Sequence, residues 1–90
     1  MPTERYQVTD HDIDNAAQLV MAALCDRIDE KGRGIFVSSH EILGAVTEEY
    51  AEFEREVESN DTKKQRDELL DIAVAALWGL VSRETGKMDW

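Results

Sequence analysis

Apolar side chains recur at spacings of three and four residues along three stretches of this chain, the period of helices that bury one face. In the first stretch Ile13, Ala16, Ala17, Val20, Met21, Leu24 and Ile28 keep that spacing. Thr9 followed by Asp12 offers a capping pair at its start, which predicts a helix to about Lys31. Gly32 and Gly34 break it, and Ile35, Phe36 and Val37 form a short apolar connector. Ser38 with Glu41 opens a second helix, whose stripe reads Ile42, Val46, Tyr50, Phe53 and Val57 and ends near Ser59-Asn60. Asp61 or Thr62 then caps a third helix that runs to about Glu84, before Gly86.

The third stretch differs from the other two because its apolar residues cover most of the helix circumference. Leu69, Ala73, Ala76, Leu77 and Leu80 form one arc, and Leu70, Val74, Trp78 and Val81 a second. A helix apolar on most sides must be covered on more than one. Three helices from one small chain supply too little cover, so a partner subunit is expected, most simply in a symmetric homodimer. The expected architecture is all-α: a helical hairpin plus an N-terminal helix, assembling into an oligomeric helical bundle. A single domain spans 1–90, with an arm at 1–8 and a tail at 85–90.

Composition agrees with that class. One proline and five glycines in 90 residues suit an all-helical domain. The excess of 20 acidic over 10 basic residues gives a formal charge of −10. That sign opposes binding to nucleic-acid polymers and to anionic membrane surfaces. The longest apolar run is too short to span a bilayer, and no signal peptide is read at the start. Cys25 stands alone, which excludes an intrachain disulfide and a multi-thiolate metal site and fits a reducing, cytoplasmic setting.

Charge matters most where it interrupts the apolar pattern. Asp71 is the only charged residue among the thirteen from Leu69 to Val81. An uncompensated buried carboxylate costs several kcal/mol. Glu68 precedes it by three residues, and Glu49 and Glu52 repeat that spacing on the second helix, each pair about 60° apart on one side of its helix. Glu56 follows the same flank as Glu49, whereas Glu48 points away. Glu52 and Glu68 each stand eight residues from Asn60, so an antiparallel hairpin brings the two acidic edges together. Acidic pairs of this kind are usually solvated faces. Two of them mirrored about a tight turn instead suggest a site for a hard divalent cation, Mg²⁺ or alternatively Mn²⁺. Such a site suits water attack on a phosphoric anhydride, with a carboxylate free to accept the proton.

The segments Glu48-Glu49-Tyr50-Ala51-Glu52-Phe53 and Asp67 to Leu77 resemble the MazG-like all-α nucleoside triphosphate pyrophosphohydrolases. The signature of that family is E-x-x-E, a spacer of a dozen or more residues, then E-x-x-D. Here it reads Glu49-x-x-Glu52, fifteen residues, then Glu68-x-x-Asp71, within a likeness that covers roughly 39–84. The resemblance implies Mg²⁺-dependent hydrolysis of a nucleoside triphosphate to the monophosphate and pyrophosphate, by a homodimer or homotetramer. It implies Glu49, Glu52, Glu68 and Asp71 as metal ligands and catalytic residues, with Glu48 matching an acid common in the family. Neutralisation of the phosphates falls to Lys63, Lys64, Arg66, the Lys31-Gly32-Arg33 turn or another subunit, with Lys64 chosen as substrate-binding.

Other residues read more plainly. His11 and His40 sit near helix starts without a second histidine at i+4, so zinc is not expected. Cys25 is expected in the core and Trp78 between helices, while Trp90, Phe36 and Tyr50 are alternatives for stacking a base. Two rival functions stay open: a non-catalytic helical assembly, and a regulatory protein that binds through its acidic surface.

Overall fold

The computed structural model describes residues 4–90 and holds, among them, three helices and no strand: α1 (Asp10–Lys31), α2 (Ser39–Glu58) and α3 (Thr62–Glu84). Of the expected arm, residues 4–8 are exposed and carry no regular secondary structure, and 1–3 lie outside the described residues. All three starts are capped as the sequence implies. Thr9 accepts from the Asp12 N–H while Asp12 accepts from that of Thr9. Asp61 caps α3 by accepting from Lys64 N–H at 3.0 Å. At α2, Ser38 accepts from Glu41 N–H, but the Glu41 carboxylate reaches one residue further back and takes the Val37 N–H at 2.9 Å. Between α2 and α3 the chain reverses at Asn60, whose φ of 60° is left-handed, a conformation asparagine tolerates better than most residues.

α3 is the central element. It packs against both α2 and α1, whose backbones make no close contact with each other. This accounts for part of its all-round apolar character without a second chain. Of the two expected arcs, only Val74 is among its most buried residues. The line of closest packing is Val74, Ala75, Gly79 and Ser82, while Leu69 and Leu80 stay more than half exposed. Small side chains win the inside because they let α2 come close. A Cβ at Gly79 would lie 2.9 Å from Ile42 Cγ2.

The expected stripe on α2 also shifts. Ile42, Val46 and Phe53 are half-buried, but Tyr50 and Val57 are exposed. Steps of four residues advance about 40° around a helix, so 42, 46 and 50 drift off the contact line. A step of seven turns back only about 20°, which puts Glu49 about 20° and Glu56 about 40° from Ile42, on the side opposite to that drift. On α3 the same spacing runs Glu68, Ala75, Ser82. The acidic residues therefore continue the seam between α2 and α3 and do not merely flank it.

The connector at 32–38 crosses α3 instead of hanging free. Ser82, fully buried, accepts from the Phe36 N–H at 3.0 Å and donates to Trp78 O at 2.8 Å. The Trp78 indole N–H donates to Gly34 O at 2.9 Å. The tail beyond α3 also folds back: Asp89 N–H donates to Val37 O and Ser39 N–H to Trp90 O. On α1 only Leu24 is buried, with Val20 and Ile28 half-buried, while Ile13, Ala16, Ala17 and Met21 are exposed. Cys25, expected in the core, is exposed as well. The first half of α1 thus projects beyond the helix that α1 packs on.

Candidate metal centre

The antiparallel register set by the Asn60 turn brings Glu49 and Glu52 of α2 against Glu68 and Asp71 of α3. One oxygen from each carboxylate can be chosen so that all four lie within 4.8 Å of one another. All four residues are half-buried. Glu49 Oε2 and Glu68 Oε2 are shielded from solvent and have no hydrogen-bond partner. Two orphaned anionic oxygens in a helix–helix seam form a donor set of hard oxygen ligands, which suits Mg²⁺ or Ca²⁺ in preference to softer metals. No histidine joins the group. His40 stacks edge-on to Trp90 at 4.7 Å, which also takes Trp90 away from the role of base platform, and His11 is exposed.

Burial, reinforced by like charge, raises three of the four carboxyls. Burial pushes the Glu68 carboxyl up from 4.5 to about 7, reinforced by the adjoining Glu52 carboxylate and by the charges of Asp71 and Glu49. Burial raises Glu49 too, and the charges of Glu52 and Asp71 add to it. Asp71 is raised by burial against the pull of Arg27, with Glu52 and Asp67 pushing the same way as burial. Desolvation and like-charge repulsion are the two causes expected where carboxylates crowd a half-buried seam.

Not every acid of the sequence pattern takes part. Glu48 is exposed. Glu56 is in line with the seam but occupied at the end of α2, where its carboxylate accepts from the Ser59 hydroxyl. The candidate cations Lys63, Lys64 and Arg66 stand exposed on the first turn and a half of α3. Lys64 does not pair with Asp71. Among the described residues the only ion pair is Arg66–Asp67, at 3.8 Å.

The basic residue that does face the carboxylates is Arg27, which sequence reasoning did not select. Its charge opposes the rise of both Glu49 and Asp71. It also lines a cleft between α1 and α3 whose wall includes Asp71 and Val74. A signal for it existed. Arg27 follows Leu24 by three residues and precedes Ile28, so it borders the packed end of the α1 stripe. Compared with models of known protein families, with curated proteins and with solved structures, the chain matches none of them.

Proposed function

We propose that this chain is a Mg²⁺-dependent nucleoside triphosphate pyrophosphohydrolase of the MazG-like kind, in which Glu49, Glu52, Glu68 and Asp71 hold the cation. One observation carries the reading. Four carboxylates occupy the hairpin seam where apolar residues would otherwise pack, two of their oxygens lack any partner, and Arg27 alone leans toward them. Four like-charged groups in a half-buried seam cost stability, a cost that a bound cation would offset. Mg²⁺, or Mn²⁺ in its place, supplies charge neutralisation and polarisation of phosphoryl oxygens when bound. The chain itself orients that ion from two rigid helices, and a carboxylate oxygen not engaged with it accepts the proton of the attacking water. Arg27 takes the place assigned to Lys64 as the cation beside the phosphates.

The same reading includes assembly as a homodimer or homotetramer. The radius of gyration is 15.4 Å, against about 12 Å for a compact chain of this length. The accessible surface of 7087 Å² exceeds by about a third what a compact monomer of this mass exposes. Leu43, Leu69 and Leu80, each more than half exposed, supply apolar area for a second copy. No helix among the described residues is long and apolar enough to cross a membrane. A reducing, cytoplasmic setting fits the single thiol.

Pyrophosphate release from a panel of nucleoside triphosphates with Mg²⁺, compared with Asp71→Asn, tests the proposal. The expected loss is at least about 100-fold, the upper range for disturbing even the outer partners of a metal. Release that survives the substitution removes the site from the chemistry. Assembly without hydrolysis of any nucleotide leaves the non-catalytic helical reading in its place.

A further inference from the structure

Beside the carboxylates lies a cavity of about 160 Å³ between α1 and α3, roofed by the connector. Its walls are Leu24, Phe36, Val74, Ala75 and Trp78, and Arg27 and Lys31 stand among them. We propose that this cavity receives the base of the nucleotide, and that it takes the single ring of a pyrimidine in preference to a fused purine. The proposal rests on the nucleotide reading above and names the part of the substrate which that reading leaves open.

Size is the first argument. A cavity of about 150 Å³ lined by apolar side chains holds one benzene ring, whereas pockets for larger ligands begin near 300 Å³. Chemistry is the second. Phenyl and indole walls favour a flat ring, and the Lys31 ammonium is a donor for a ring carbonyl oxygen, which pyrimidine bases carry. Preorganisation is the third. The Phe36 N–H is held by Ser82 Oγ and the Trp78 indole by Gly34 O, so both aromatic walls are placed without a ligand.

Position joins the cavity to the carboxylates. Ala75 follows Asp71 by one helical turn, about 6 Å along the axis. Arg27 and Val74 line both this cavity and the cleft that contains Asp71. A base seated against Ala75 therefore leaves its sugar beside Val74 and its phosphates beside Arg27 and the four acids. Lys31, named in the sequence only as part of a possible phosphate-binding turn, falls to the base side of that path.

The test uses nucleosides, which carry no phosphate and need neither Mg²⁺ nor hydrolysis. Uridine, cytidine, adenosine and guanosine are titrated into the full chain while the indole N–H resonance of Trp78 is followed by NMR. The expected result is a saturable shift with the pyrimidine nucleosides only. It is abolished by Ala75→Leu, which fills the cavity, and weakened about fivefold by Phe36→Leu, which keeps apolar bulk but removes the ring. If Ala75→Leu does not fold, Phe36→Leu decides. Equal shifts with purines, no shift with any nucleoside, or a shift indifferent to Phe36→Leu each overturn the proposal. Mg²⁺-dependent hydrolysis of inorganic triphosphate, which has no base, reports separately on the carboxylates, so failure of one reading is distinguishable from failure of the other.

Discussion

Glu68→Gln should make the metal-free protein more stable at pH 8 and leave it unchanged at pH 5. The folded-state carboxyl titrates at about 7, against an ordinary value of 4.5. Between those values the native state holds a proton that the unfolded chain has released. Stability is therefore greatest below about pH 4.5 and is lost as pH rises through 7. The full shift corresponds to about 3 kcal/mol. Because Glu68 keeps an edge toward solvent, screening reduces this to about 1–2 kcal/mol. Glutamine carries no charge and its amide donates to Glu52, so the variant escapes the loss. For a chain of this length the gain at pH 8 corresponds to about 5–10 °C in Tm.

Mg²⁺ should reverse the order. Ligand binding at 100 times Kd adds about 2.7 kcal/mol to the wild type, and the variant, with one anionic ligand fewer, gains less. The assay is thermal melting of both proteins at equal concentration, with EDTA or Mg²⁺, from pH 5 to 8. Parallel pH profiles for the two proteins, or an equal rise with Mg²⁺, would refute the crowded-anion account. Glu49 and Asp71 are raised as well and interact with Glu68, so the difference between the profiles reports Glu68 together with its effect on these two neighbours.

Three further outcomes follow from packing. Gly79→Ala should cost about 1–3 kcal/mol in urea unfolding, since the new methyl meets Ile42 Cγ2 at 2.9 Å, and Ile42→Ala should recover part of that cost when combined with it. Ser82→Ala should cost about 1–3 kcal/mol by leaving the Phe36 N–H without its acceptor, read as a lower urea midpoint and faster exchange of that amide; a midpoint equal to wild type would show the bond to be dispensable. Sedimentation should give a dimer or tetramer that Leu69→Glu with Leu80→Glu dissociates, and a wild-type mass of 10.2 kDa in solution would end the assembly reading.

Local chemistry made much of the fold legible. Thr9, Ser38 and Asp61 mark helix starts because each cap acts within three residues, where chain connectivity leaves few alternatives. The convergence of the four acids was legible for a similar reason. A turn of three residues at Ser59–Asp61 ties the two helices into one register, and equal distances from Asn60 then force Glu52 opposite Glu68. Which acids would join was less clear: Glu56 has the right periodicity but is consumed by Ser59 at the helix end.

Longer-range choices escaped the pattern. Periodicity marked Tyr50 and Val57 as inward, yet both are exposed, and the absence of a side chain at Gly79 lets Ile42 of α2 come close while Leu69 and Leu80 stay outward. Nor does spacing along the chain place Arg27 against residues 44 positions later, or set the connector over Trp78 to roof a cavity. Helix positions, hairpin register and the gathering of carboxylates are consequences of short-range geometry, and the linear pattern contains them. The counter-charge, the cavity and the face left open belong to side-chain volume meeting across α1 and α3, which exists only once the helices have packed.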